Sequence, residues 1–83
     1  KPLFLTQEAE VVDLKTMGNG NRHLSIFLQE GGQIMRAVYF NGGELNNHLS
    51  RGQKVDLVYS LICDNYAGRP KVELKIQDLK IGS

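Results

Sequence analysis

The chain has 83 residues, 41% of them hydrophobic, and a formal net charge of +1. This length allows one domain with a modest core, and the composition excludes a disordered segment. Because the net charge is small, any attraction to a polyanion must come from local placement of basic side chains. The only cysteine, Cys63, excludes an internal disulfide and fits a reducing compartment. No apolar run approaches the ~20 residues of a membrane helix.

The first element in chain order is an extended segment that leads into a strand. Residues 1–8 are interpreted as a linker from an upstream region, because Pro2 favours an extended chain. Residues 8–17 then alternate between apolar and polar side chains, which predicts a strand. In this pattern Val12 and Leu14 share one face.

The clearest alternation in the chain lies in residues 22–30, between two glycine-rich segments. Residues 18–21 predict a turn and residues 31–32 a tight hairpin. Phe27 points away from the apolar face of this second strand. That apolar face is formed by Leu24, Ile26 and Leu28.

The third predicted strand, residues 33–40, is rich in strand-forming residues but alternates poorly. Alternate positions of a strand share one face, so Arg36 falls on the same face as the apolar Ile34, Val38 and Phe40. A β-bulge could re-aim these side chains, so the pattern leaves both faces of the strand unassigned.

One short helix is predicted within residues 41–50. Asn41 followed by Glu44 resembles a capping box, and Leu45 and Leu49 have helical i, i+4 spacing.

A long hairpin follows, with strands predicted at residues 55–62 and 72–81. Its connecting segment and the residue after it carry Tyr66, Arg69 and Lys71. An aromatic ring and two cations between two strands can hold a stacked base and a phosphate. This combination indicates nucleic-acid binding.

Five strands with a helix between the third and fourth predict an all-β OB-fold, a small Greek-key barrel, spanning residues 9–81. Closure into a barrel would hide the strand edges that an open sheet exposes. A β-sandwich is the alternative.

The sequence offers no catalytic constellation. His23 and His48 lie in different elements, and neither has a carboxylate at metal-ligand spacing, so no metal site is expected. Phosphate-binding and nucleophile motifs are absent. The chain by itself is therefore not expected to be an enzyme.

OB-folds usually bind ligands on strands two and three, between the loop that joins strands one and two and the loop that joins strands four and five. Here those loops are residues 18–21 and 64–70. The pattern leaves open whether Phe27 and Tyr39 contact a ligand or pack inside. The predicted DNA-binding residues are Arg22, His23, Phe27, Arg36, Tyr66, Arg69 and Lys71.

Several segments of the chain form a recognisable series in their order and spacing. They are Pro2-Leu3-Phe4, Gly20-Asn21-Arg22-His23-Leu24, Ala37-Val38-Tyr39-Phe40-Asn41, Gly52 with Val55-Asp56-Leu57-Val58-Tyr59, Tyr66-Ala67-Gly68-Arg69, and Leu74, Ile76 and Asp78. Together they resemble the OB domain of the bacterial RecJ family, single-strand-specific DNA exonucleases of the DHH superfamily.

The resemblance implies a cytoplasmic bacterial protein, of which this chain is a piece. The parent enzyme would degrade single-stranded DNA from 5′ to 3′ with manganese or magnesium held in an upstream domain. This chain would bind no cofactor and would guide the strand to that core. Asp64 and Glu73 depart from the asparagine and glutamine of the family pattern, and both add negative charge near the predicted site.

A different function is also compatible with the sequence. An OB barrel can dock a neighbouring domain or a single-strand-binding protein, and the near-neutral net charge favours this. In that case Phe27 and Tyr39 would form an exposed apolar patch.

Overall fold

A computed structural model describes residues 2–82 of the chain, without the side chain of Tyr66. Short 3₁₀ helices lie at Asn19–Asn21 and Gly43–Asn47. No helix within residues 2–82 is long and apolar enough to cross a bilayer. The five strands are β1 (Phe4–Met17), β2 (His23–Glu30), β3 (Gln33–Tyr39), β4 (Lys54–Tyr66) and β5 (Arg69–Ile81).

The strands form a closed barrel in the order β1-β2-β3-β5-β4. Neighbouring strands are antiparallel except β3 and β5, which are parallel and pair only at Ala37–Leu74 and Val38–Lys75. This closed five-stranded barrel confirms the predicted OB architecture and excludes a sandwich of two open sheets.

The interior is filled by alternate residues of every strand, as the period of two requires. Leu24, Ile26 and Leu28 of β2 are fully buried, as the sequence pattern predicted. Their partners on β3 are Tyr39, Ala37 and Met35. The other buried core residues are Ala9, Val11, Leu49, Val55, Leu57, Leu74 and Ile76.

The first strand begins earlier than predicted. β1 starts at Phe4, which pairs with Tyr59 of β4, so residues 4–8 belong to the barrel and not to a separate linker. The register of β1 against β2 shifts between Val11 and Asp13. This bulge inserts one residue, so Val11 joins the core in place of Val12.

The predicted helix at residues 41–50 is only the 3₁₀ helix Gly43–Asn47. The predicted capping box is wrong, because no side chain caps this helix and Asn41 has a left-handed φ of 63°. Gly43 instead donates its N–H to the carbonyl of Arg22 at 2.9 Å. A Cβ on Gly43 would lie 1.9 Å from the Asn21 carbonyl oxygen, so this contact requires glycine.

The hairpin of β4 and β5 extends further than predicted. Pairing continues to Tyr66–Arg69, and only Ala67 and Gly68 form the turn. Both have positive φ, 52° and 77°, as in a type I′ turn. Residues 62–73, called the arm below, lie beyond the pairing of β4 with β1 and of β5 with β3. None of the arm's described side chains is buried.

Candidate nucleic-acid interface

The outer surface of β2 and β3 gathers most of the residues that can contact a ligand. Ser25, between the buried Leu24 and Ile26, faces away from the interior and pairs with Lys15 and Val38. Directly paired residues project from the same side of a sheet, so their neighbours share this surface. The surface, called the outer face below, comprises Asp13, Lys15, Met17, His23, Ser25, Phe27, Arg36, Val38, Phe40 and Lys75. Of these, Ser25 and Val38 are buried.

Two phenylalanines are exposed on the outer face. Phe27 is 37% exposed and Phe40 is 44% exposed. The ring of His23 contacts Phe40 edge-to-face, with centroids 5.3 Å apart. The Lys75 Nζ lies 5.8 Å from the Phe40 centroid. These contacts hold the Phe40 ring while leaving much of it accessible.

His23 supports this arrangement through its ring nitrogen. Nδ1 accepts a 2.9 Å hydrogen bond from the backbone N–H of Asn41. A ring nitrogen that accepts is unprotonated, so in the neutral imidazole the proton is on Nε2. His23 therefore fixes the end of β3, next to Phe40, as well as lining the outer face.

Arg36 is the most constrained cation of the outer face. It forms an ion pair with Glu73 of β5, and its Nη2 lies 4.0 Å from the sulfur of Met17 on β1. The hydroxyl of Ser25, on the intervening strand β2, is buried and has no hydrogen-bond partner among the described residues. The charge of Arg36 is thus already compensated by Glu73.

The arm contributes further cations beside the outer face. Lys71 is 58% exposed at its side chain, and its Nζ lies 3.7 Å from the Glu73 carboxylate. Arg69 is exposed next to the turn. Glu73 therefore stands between Arg36 and Lys71 where the arm meets the outer face. The side chain of Tyr66, also predicted as a contact, lies outside the described residues.

Asp13 places a carboxylate beside Phe27, its partner in the register of β1 and β2. Two hydrogen bonds from Arg51, at 2.8 and 3.2 Å, reach this carboxylate. They and the bond from the N–H of Leu14 hold the pKa of Asp13 below its usual value. Arg51 thus neutralises the negative charge at this edge of the outer face.

The structure brings some of the predicted site residues together and separates others. His23, Phe27 and Arg36 share the outer face, and Lys71 reaches Glu73 at its border. Arg22 is exposed in the loop between β1 and β2.

The predicted apolar patch of Phe27 and Tyr39 is wrong. Tyr39 pairs with Leu24 and packs against the core, on the opposite side of the sheet from Phe27.

Sequence reasoning missed Phe40, Lys75 and Lys15. Phe40 and Arg36 occupy alternate positions of the predicted strand at residues 33–40, and this spacing was the available signal that they share a face. No bulge interrupts the register of β3 with β2, so all residues at these alternate positions face outward.

A family model described as the RecJ OB domain matches residues 1–78 of this chain. The single-stranded-DNA-specific exonuclease RecJ of Bacillus subtilis (strain 168) is 25% identical over 81 residues, which are 98% of this chain and 10% of that protein. The chain thus spans about a tenth of the length of this curated relative.

Among solved structures, the mitochondrial single-stranded DNA binding protein Rim1 from S. cerevisiae superposes with a TM-score of 0.64 at 10% identity. The match covers 95% of this chain and 90% of Rim1 and shows a shared fold. From the family match, the chain belongs to the RecJ OB domain family.

Proposed function

We propose that this chain is a single-stranded DNA-binding domain that serves a 5′–3′ single-strand-specific exonuclease. In this function it guides the strand toward a catalytic core that lies elsewhere in the polypeptide. The observation that carries the proposal is the outer face, where two exposed phenylalanine rings stand among cations. Membership of the family and the similarity to the Bacillus exonuclease support it.

The two rings suit successive contacts with one strand. Phe27 and His23 are four residues apart on β2, or roughly 13 Å at about 3.3 Å per residue. Phe40 contacts His23, so the rings of Phe27 and Phe40 mark the two ends of a track along the strands. Stacking on such rings accepts any base, which suits an enzyme that degrades a strand of any sequence.

Cations flank this track on both sides. Lys15 lies on β1 and Lys75 on β5, on either side of the row formed by Ser25 and Val38. Within residues 2–82, neither lysine forms a salt bridge. Phosphate contacts by these side chains release counterions, so affinity falls as salt rises, with a slope of about −0.7 for each phosphate neutralised on a single strand.

A titration of the chain with a fluorescent dT oligonucleotide of about 15 nucleotides, a length that an OB-fold can cover, tests the proposal. Binding should weaken between about 50 and 200 mM salt. Replacing Phe27 or Phe40 by alanine should cost about 1–3 kcal/mol of binding free energy each. The matched control is Phe4→Ala, because Phe4 is similarly exposed at 41% but stacks on Tyr59 of β4, away from the outer face.

Three outcomes would contradict DNA binding at this face. The first is no binding at low salt, and the second is binding that does not respond to salt. The third is an equal loss of affinity in Phe4→Ala and Phe27→Ala.

The accessory role is tested in the full-length protein that contains this chain. A guiding interaction stabilises the bound substrate and the transition state equally. Its loss in Phe27→Ala should therefore raise KM for single-stranded DNA and leave kcat unchanged. A fall in kcat with unchanged KM would argue against the guiding role.

A second function, docking of a neighbouring domain or a partner protein, is favoured by the exposed start of β1. Leu3 and Leu5 are 61% and 63% exposed. Leu5 pairs with Val58 of β4, a strand that does not pair with β2 or β3. If docking is the main function, Leu5→Ala should weaken association with the partner. Tyr66→Ala and Arg69→Ala should then leave the DNA affinity of the full-length protein unchanged.

A further inference from the structure

A pocket of about 610 Å³ opens where β3 separates from β5. The two strands pair only up to Val38–Lys75, so the chain beyond that point diverges from the second half of β5. Tyr39 and Phe40 bound the pocket on one side and Leu79 on the other. The volume is within the range of small-molecule sites.

The walls of this pocket combine apolar and polar surface. Leu45 and Leu79 are half-buried and pack against the core, so they offer fixed apolar contacts. Glu44 and His48 are exposed and form the polar border. Planar aromatic walls with a few polar groups at the edge suit a flat heterocycle that carries hydrogen-bonding groups on its rim.

A tight turn keeps the aromatic wall in place. The N–H of Gly42 donates to the carbonyl of Tyr39 at 3.1 Å. A Cβ on Gly42 would lie 2.7 Å from the Tyr39 ring, so only glycine lets the chain pass this close. The turn thereby holds the Tyr39 ring against the pocket.

We propose that this pocket binds a nucleobase turned out of the strand on the outer face, and that Glu44 makes it prefer guanine. This inference rests on the proposed function. Phe40 belongs to both the outer face and the pocket, so a strand that leaves the outer face passes the pocket entrance. Lys75, whose Nζ lies near the Phe40 ring, can neutralise the phosphate of the turned-out nucleotide.

The preference for guanine follows from the donors on each base. An ionised carboxylate only accepts hydrogen bonds and has two oxygens. Guanine presents its ring N–H and its amino group side by side, so both carboxylate oxygens of Glu44 can be used. Thymine flanks its ring N–H with two carbonyl oxygens that repel a carboxylate. Adenine and cytosine each present one amino group beside ring acceptors.

The test compares a dT oligonucleotide with the same oligonucleotide carrying one central dG, dA or dC, by fluorescence anisotropy on the 83-residue chain. The dG form should bind about tenfold more tightly than the others, the discrimination expected of a bidentate contact. Glu44→Gln should remove most of that preference while keeping the affinity for dT. The control Glu30→Gln, an exposed carboxylate at the end of β2, should keep the preference.

Methyl NMR of Leu45 and Leu79 locates the bound base. Their signals should shift with the dG oligonucleotide and stay in place with dT, since neither residue belongs to the outer face. Equal affinity for all four bases, or a preference that survives Glu44→Gln, would overturn the guanine pocket while leaving the proposed function intact. Failure of every oligonucleotide to bind would overturn both.

Discussion

The strands β4 and β5 form part of the barrel wall and, with the turn that joins them, the arm, and these two regions differ in burial. The antiparallel register is regular on both sides of a single shift between Val58 and Tyr59. Yet Val55 in the barrel is fully buried, whereas Val72 in the arm is 56% exposed. What differs is the presence of third strands, β1 and β3, on either side. Pairing of β4 with β5 is therefore enough to fix the backbone of the hairpin. Its side chains are buried only where β1 and β3 pack alongside.

This comparison implies that the stability of the fold resides in the barrel and that the arm adds little to it. Val55→Ala should lower the free energy of unfolding by about 2 kcal/mol or more, because it leaves a cavity in a packed interior. Val72→Ala removes the same atoms from an exposed site and should change it by less than about 0.5 kcal/mol. Urea unfolding of both variants measures the difference. Equal losses would mean that the arm is covered in solution.

The next largest effect concerns charge. Arg69→Ala combined with Lys71→Ala should weaken binding to single-stranded DNA several-fold at low salt. It should also make the salt dependence shallower, by about 0.7 for each phosphate that is no longer neutralised.

The matched control removes two lysines from the barrel part of the same strands, Lys54→Ala with Lys80→Ala. Both are exposed and lie at or next to the Val55–Ile81 end of the hairpin, remote from the arm. If both double variants lose the same affinity, the attraction depends on total charge and not on the arm.

Glu73 lies at the junction of the two regions, and its removal should strengthen binding. Glu73→Gln frees Arg36 from its ion pair and relieves the nearby Lys71, so two cations become available for phosphate. The gain should be about 1 kcal/mol or less, as for partly exposed ion pairs. Asp64→Asn removes the same charge from the arm without releasing Arg36, and should give a smaller gain in the same titration. A weaker affinity in Glu73→Gln would show that the ion pair positions Arg36 for DNA.

The smallest expected effect is a pH dependence from Asp13 in the barrel. Arg51 lowers the pKa of Asp13 in the folded chain relative to the unfolded chain. The ion pair therefore contributes its full stabilisation to the folded chain at pH values above the ordinary carboxyl pKa. This contribution is lost as the pH falls through the lowered pKa that Asp13 has in the folded chain.

Arg51→Ala should accordingly reduce stability slightly near neutral pH and make it less sensitive to acid. The Asp13–Arg51 pair is exposed, so the change should be small. Arg69→Ala removes an arginine that contacts no carboxylate within the described residues, and should leave the acid dependence unchanged. Urea unfolding midpoints at neutral and acid pH measure both variants.

The sequence predicts the strands and their order well because inward and outward residues alternate wherever one side is packed. Residues 24, 26 and 28 illustrate this, as all three are buried. The hairpin turn at Gly31-Gly32 is also confirmed, since both glycines have positive φ. Local chemistry and period determine these features, so one sequence is enough to find them.

Other features escaped prediction because they depend on contacts between distant residues. The bulge in β1 shifts parity by one residue, and no local signal shows that Val11 and not Val12 is buried. The 3₁₀ helix is set by the approach of Gly43 to the loop before β2. The third strand was ambiguous since Val38 and Phe40 give its outer face an apolar character.

The order of strands around the barrel also has a consequence for folding kinetics. The segments β1-β2-β3 and β4-β5 are each joined by short turns, so each can form from neighbouring residues. Closure then requires β1 to meet β4 and β3 to meet β5, pairings between residues that are 37 to 55 positions apart. Such distant pairings slow the search for the native state, so folding on a millisecond-to-second timescale is expected. The short pairing of β3 with β5, which comprises two residue pairs, should be among the last to form.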